Sequence, residues 1–169
     1  MLGIDPGTAV TGYGVVRGER LGPASLIECG VIRTRAREAL PVRLSEIYDG
    51  VSELIRRHRP DALAVEDVFY AHNVRTTVVL GHARGVILLA GQQAGIEIRE
   101  YPPAVIKKAV VGTGSATKTQ VQFMLMRLLR LKSVPTPSDA ADGVAAALTC
   151  VMSSPLSMPA KPPAPAVRA

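Results

Sequence analysis

The chain has 169 residues, enough for one domain with a sizeable core, and its 47% hydrophobic and 20% charged content is that of a soluble globular protein. Its net charge of +6, from 15 Arg and 5 Lys against 14 acids, favours a polyanionic partner such as nucleic acid. Cys29 and Cys150 lie too far apart to signal a disulfide framework or a zinc site, and neither a signal-peptide pattern nor an apolar run of ~18 residues is present, so the expected compartment is the cytoplasm and no membrane contact is expected.

The first stretch, Leu2-Gly3-Ile4-Asp5-Pro6-Gly7, is an apolar run stopped by a turn, and Thr11 to Val16 reads as the returning strand of a hairpin. Asp5 thereby stands at the end of a buried strand, at the rim of a sheet; alone, an Asp before Pro-Gly is an ordinary turn starter. Residues 24–35 make a third strand ending in the basic cluster Arg33, Arg35 and Arg37, so the chain opens with an antiparallel meander. Leu40, Leu44, Ile47, Tyr48, Val51, Leu54 and Ile55 recur at helical spacing, and Arg56, Arg57, His58 and Arg59 close that helix at its negative end before Pro60. Ala62-Leu63-Ala64-Val65-Glu66 repeats the first pattern: an apolar strand, reached through a helical crossover, ending in an acid.

Residues 73–94 read as a long helix with Val74, Val78, Ala83, Val86, Ile87 and Ala90 apolar. Gly81 and Gly85 lie one turn apart, each costing roughly 0.5 to 1 kcal/mol against Ala, which predicts a close backbone neighbour on that face or a two-fold contact between copies. Residues 96–101 form a fifth strand, Pro102 and Pro103 open a short helix, and Gly112-Thr113-Gly114-Ser115 is a loop. Thr117 caps a basic helix over 118–131, carrying Val121, Met124, Leu125 and Leu128 inward, and Pro135 and Pro137 break the chain again. Ser138 is expected as the cap of a last helix, with Asp139 and Asp142 on one face of its first turn and Ala140 and Ala141 leaving room for something to approach. A single folded domain is expected over 1–152, followed by a disordered Pro/Ala-rich tail over 153–169.

Asp5, Glu66, Asp139 and Asp142 thus all fall at element ends. Two charges 4 Å apart at an effective dielectric of 20 repel by ~4 kcal/mol, so a shared location would shift their pKa values or bind cations. All-oxygen ligation suits Mg²⁺ or Mn²⁺, and two such ions are able to activate a water and stabilise a leaving oxygen in phosphodiester hydrolysis.

Five ordered blocks carry a family resemblance: Gly3-Ile4-Asp5-Pro6-Gly7, Glu66 before Val68-Phe69, Leu80-Gly81-His82-Ala83-Arg84-Gly85, Val110 to Lys118, and Asp139-Ala140-Ala141-Asp142. Over residues 2–152 the chain resembles the bacterial RuvC crossover (Holliday) junction endodeoxyribonucleases of the ribonuclease H-like superfamily. The resemblance implies an α/β, ribonuclease H-like fold with a five-stranded mixed sheet, three antiparallel strands then two parallel, flanked by helices. It implies Asp5, Glu66, Asp139 and Asp142 as metal-binding catalytic acids, Phe69 stacking near the crossover, and Lys107 and Lys118 contacting DNA; Arg75 and Lys108 join them as expected DNA contacts. It also implies a homodimer making symmetric, Mg²⁺-dependent nicks in four-way junction DNA, with two ions per site, Mn²⁺ as a substitute, and RuvA and RuvB as branch-migration partners. The chain departs from the usual residues at Asp67, His72 and His82; an unchanged strand beyond Glu66 turns Asp67 to the opposite face.

Two other function classes are open to the same residues. An ATP-binding domain of the actin or sugar-kinase type also begins with an Asp-x-Gly turn and hairpin, but typically needs two related domains; a Walker A reading of Gly112 to Thr119 lacks the glycine before Lys118 and requires a preceding strand. A non-catalytic branched-DNA-binding module accounts for the basic residues and leaves the four acids unexplained.

Overall fold

The computed structural model describes residues 1–67 and 74–154. Strands β1 (Leu2–Asp5), β2 (Val10–Gly18), β3 (Ala24–Arg33), β4 (Ala62–Glu66) and β5 (Glu97–Tyr101) form one sheet in the order β3-β2-β1-β4-β5. β1, β2 and β3 pair antiparallel, and β4 and β5 run parallel to β1, as the meander followed by crossovers requires.

Helices cover both faces, which is why β1 and β4 are apolar without alternation. On one face, α1 (Leu40–His58) and α2 (Val74–Gln93) pack Ile47, Val51, Leu54, Ala83 and Ile87 against Leu2, Ile4, Leu63 and Val65. On the other, α3 (Pro103–Val111), α4 (Lys118–Leu128) and α5 (Ser138–Ser153) pack Ile106, Val110, Val121, Leu125 and Val144 against Val16, Ala62 and Ala64. Helix α5 rests almost directly on β1 and β2. A Cβ on Gly12 would overlap the Asp139 carbonyl oxygen, and one on Gly143 would stand 2.6 Å from the Tyr13 Cα, so glycine on both sides lets helix and hairpin touch through backbone.

Several local expectations change. Ser138 is already inside α5, because Ala140 N–H closes the first turn onto the Pro137 carbonyl; Pro137 is the cap residue, and the Ser138 hydroxyl makes no cap hydrogen bond. Ala140 and Ala141 are fully buried in the core and leave no approach space. The α5 helix carries on through Ser153, and Ser154 is buried with its hydroxyl donating to the Cys150 carbonyl and accepting from Arg99; the rest of the expected tail lies outside the described residues. Helix α4 stops at Leu128, and Arg130 turns to φ 52°, short of the expected Leu131. Thr117 does cap α4: its hydroxyl accepts from Gln120 N–H, while Gln120 Oε1 accepts from Thr117 N–H. On α2, a Cβ at Gly81 or Gly85 would meet nothing within 4 Å, so among the described residues no backbone approaches them. Of the apolar positions of α2, Val74 and Val78 are exposed beside them, whereas Ala83, Ile87 and Ala90 are buried.

Candidate functional site

Parallel pairing of β1 and β4 is what brings the first two acids together. Ile4 aligns with Val65, so Asp5 and Glu66 follow at the same rim, and both continue the face on which Gly3 and Ala64 meet α5. The turn after Asp5 is braced by its neighbours: Thr11 Oγ1 donates to the Gly7 carbonyl at 2.6 Å, and Thr34 Oγ1 to the Thr8 carbonyl at 2.6 Å. The glycine contact of α5 with the hairpin then lowers the first turns of that helix onto the same rim. Asp5, Glu66 and Asp142 line one cavity of about 260 Å³, with Lys107 and Lys118 on its walls and Ile106, Val121 and Ala145 supplying apolar surface. Asp139 does not line it, but its charge reaches Asp5 and Asp142.

The electrostatics are those of crowded acids. Burial, then the charges of Glu66, Asp142 and Asp139, push the Asp5 carboxyl up to about 8, and burial followed by Asp142 pushes Glu66 up to about 7. Burial also raises Asp142, against the pull of Lys118, whose ammonium donates to Asp142 Oδ2 at 2.6 Å. Burial pulls the Lys118 ammonium down, but Asp142, Asp139 and Asp5 outweigh it and raise the net value. Among the described residues, no three Asp, Glu, His or Cys side chains are gathered into a ready cage for a cation. Lys118 supplies a counter-charge beside Asp142. The donor set still fits hard divalent ions: carboxylate oxygens alone, pushed towards protonation by burial and then by one another's charge.

The remaining expected residues divide. Lys107 is half-buried in the cavity wall and Lys108 is exposed next to it, whereas Lys118 is paired with Asp142 and so not free for phosphate as it stands. Arg75 is exposed in the first turn of α2, His82 is exposed further along it, and Phe69 and His72 lie outside the described residues. Asp67 turns away from Glu66, as alternation requires, and meets Arg84. The role of Arg84 was hidden in sequence, since only the fold brings α2 against the end of β4. A larger apolar groove of about 460 Å³ lies at the other end of the sheet, between the β2–β3 turn and the ends of α4 and α5, but no acids converge there. The Gly112–Ser115 loop follows helix α3, not a strand, which removes the P-loop reading.

A mixed sheet in this order, with acids on the ends of its two central strands and on a helix laid across them, is the ribonuclease H-like arrangement of a polynucleotide-cutting enzyme. A family model described as "Crossover junction endodeoxyribonuclease RuvC" matches residues 1–150, and the chain belongs to that family of divalent-metal-dependent nucleases. The RuvC of Halorhodospira halophila is 50% identical over 148 residues, covering 88% of this chain and 87% of that protein. The Thermus thermophilus RuvC structure matches with a TM-score of 0.79 at 37% identity, covering 88% of this chain and 92% of that one. A second structure, of T. thermophilus RuvC in complex with Holliday junction substrate, matches with a TM-score of 0.80 at 35% identity over the same shares.

Proposed function

We propose that this chain resolves four-way DNA junctions by symmetric, metal-dependent hydrolysis of two phosphodiester bonds, with Asp5, Glu66, Asp139 and Asp142 as its catalytic acids. The observation that carries the reading is the shared cavity of Asp5, Glu66 and Asp142 walled by Lys107 and Lys118, in a member of the RuvC family. Asp5, Glu66 and Asp142, with Asp139 alongside, would hold two Mg²⁺ ions, with Mn²⁺ as a substitute. Such ions, when bound, supply Lewis-acid polarisation of the scissile phosphate and a nucleophilic water at neutral pH. The protein's own part is to hold the carboxylates at fixed strand and helix ends, to keep Lys118 at hand as counter-charge, and to offer Lys107, Lys108, Arg75 and Phe69 to the DNA. A divalent ion held by Asp142 would take the place of the Lys118 ammonium there and leave that ammonium to phosphate.

The symmetric substrate calls for a symmetric enzyme. Val74, Val78, Gly81, Gly85 and Leu89 recur at helical spacing on α2, and their exposure supports a homodimer built on that helix. The same reading gives RuvA and RuvB as partners and the cytoplasm as compartment; no described helix is long and apolar enough to cross a membrane. Purified protein incubated with a labelled four-way junction or a linear duplex, in Mg²⁺, Mn²⁺ or EDTA, is expected to cut only the junction and only with metal. Sedimentation should give a dimer at micromolar concentration. Metal-independent cutting, or equal cutting of the duplex, would overturn the reading.

The raised carboxyl values make a pH prediction. A carboxyl whose folded value lies above its unfolded value stabilises the fold below the unfolded value, and that contribution is lost as pH rises through the folded one. For Glu66 and Asp5 the loss runs from about pH 4, the ordinary carboxylate range, to about 7 and 8. In EDTA the melting temperature should therefore fall over this window. Mg²⁺ should raise it more at pH 8.5 than at pH 6, because the ion competes with protons for the same oxygens. Thermal melts with and without Mg²⁺ check this, and an Mg²⁺ effect independent of pH would refute it.

A further inference from the structure

One ionic cluster lies behind the cavity, on the other face of the sheet. Glu66 pairs with Tyr101 on the cavity face, so the flanking Asp67 and Glu100 turn to the α2 face, where Glu100 aligns with Val65. Arg84 of α2 meets both: Nη2 lies 3.2 Å from Asp67 Oδ1 and also contacts Glu100 Oε2. Asp67 N–H donates to the Tyr101 carbonyl at 2.8 Å, carrying the β4–β5 ladder one residue past Glu66. One guanidinium thus ties together the two strand ends on either side of the Glu66 backbone.

As a stability device this is a poor arrangement. Arg84 is three-quarters buried, and its Nε is buried with no hydrogen-bond partner among the described residues. An unsatisfied buried donor destabilises, and breaking even with an ion pair under partial burial needs every donor used. What the arrangement does provide is a fixed backbone at Glu66, the acid at the end of the central parallel pair. From this geometry we propose that Arg84 is a positioning residue that holds the Glu66 carboxylate in the orientation a divalent ion requires. The inference rests on the metallonuclease reading of Asp5, Glu66 and Asp142. Arg84 lies between Gly81 and Gly85, so the helical turns that carry the exposed stripe of α2 also carry this tie.

The test uses the full chain and three readouts: the Mg²⁺ concentration that gives half the thermal stabilisation without DNA, the single-turnover cutting rate at saturating junction, and junction binding in EDTA. Arg84→Met keeps the aliphatic stem and loses the fork. It should raise the half-stabilising Mg²⁺ concentration severalfold and slow cutting at fixed Mg²⁺ by about tenfold or more, within the ~10²-fold that a 1 Å misplacement costs. High Mg²⁺ should recover part of the rate, and binding in EDTA should change less than about twofold, since an Arg of α2 turned to Asp67 and Glu100 adds no phosphate contact. Arg84→Lys, a point charge without the fork, should fall between. Glu100→Gln, which leaves the Arg in place, serves if Arg84→Met does not fold and should shift the Mg²⁺ response the same way. A lower melting temperature in EDTA with unchanged Mg²⁺ response and cutting by the folded fraction would make Arg84 a structural strut only and overturn the proposal. Glu66→Gln run in parallel separates the two readings: a dead Glu66→Gln beside a normal Arg84→Met sinks the Arg84 link alone, and an active Glu66→Gln sinks the site assignment itself.

Discussion

Replacing Asp5, Glu66, Asp139 or Asp142 by the isosteric amide is expected to abolish junction cutting and to leave junction binding intact. Each amide preserves volume and one oxygen but removes the charge that makes a carboxylate a ligand for a hard divalent ion, so the loss falls on the chemical step. Groups that act as a unit lose most of their effect when any one is removed, and a fall of roughly 10³-fold or more in single-turnover rate is expected for those lining the cavity. Binding has no reason to weaken, because taking a negative charge from the site removes repulsion towards phosphate. The stability effect has the opposite sign. Asp5 and Glu66 resist ionisation because they are buried among other acids, so Asp5→Asn should melt higher than the parent in EDTA at pH 8, and the gain should shrink in Mg²⁺. Cutting assays, junction gel shifts in EDTA and melts on the four variants check all three statements. Four variants that cut like the parent would remove the metallonuclease mechanism.

Gly12→Ala is expected to be the most disruptive small substitution in the chain. Its methyl would occupy the place of the Asp139 carbonyl oxygen, and the obstacle is helix backbone, which has no rotamer to escape into. Overpacking of this kind costs typically 1 to 3 kcal/mol, and more where backbone must move. The movement matters beyond its energy: α5 is displaced at its first turn, which carries Asp139 and leads directly into Asp142 in the cavity with Asp5 and Glu66. The folded fraction of Gly12→Ala should therefore cut poorly even at temperatures well below its melting point. Gly81→Ala is the contrast, since its methyl meets open space and removes an unfavourable helix glycine; a gain of roughly 0.5 to 1 kcal/mol is expected in the isolated chain. Chemical denaturation of both variants checks the ordering, and a Gly12→Ala as stable and active as the parent would show that α5 is not seated as described.

The two acids on the central strands were legible in the sequence because a buried strand is a continuous apolar run, and the first residue to break it with charge marks the sheet's rim. Leu2 to Asp5 and Ala62 to Glu66 each do so, and the parallel pairing follows from the helical crossover between them. The Thr117 cap was legible for a related reason: a capping box is local, and its partner lies three residues away. What escaped depends on contacts between distant segments. Ser138 has the right side chain for a cap, yet the turn begins one residue earlier at Pro137. Val74 and Val78 lie on the side of α2 opposite the buried Ala83, Ile87 and Ala90, and an apolar residue type alone does not say which stripe of a helix faces its own sheet. The pairing of Lys118 with Asp142, and of Arg84 with Asp67 and Glu100, joins charges that sequence spacing leaves unrelated.

The seating of α5 on β1 and β2 has a consequence for biosynthesis. The hairpin that carries Asp5 leaves the ribosome before the helix that carries Asp139 and Asp142. A nascent chain generally folds in the order it emerges, and contacts between its two ends wait until both exist. Until α5 is made, the glycine-paved surface of β1 and β2 stays uncovered and the acids stand unmatched. Chains interrupted before α5 would lack Asp139 and Asp142, two of the four acids proposed for the site, and would leave the glycine face of the hairpin open to water.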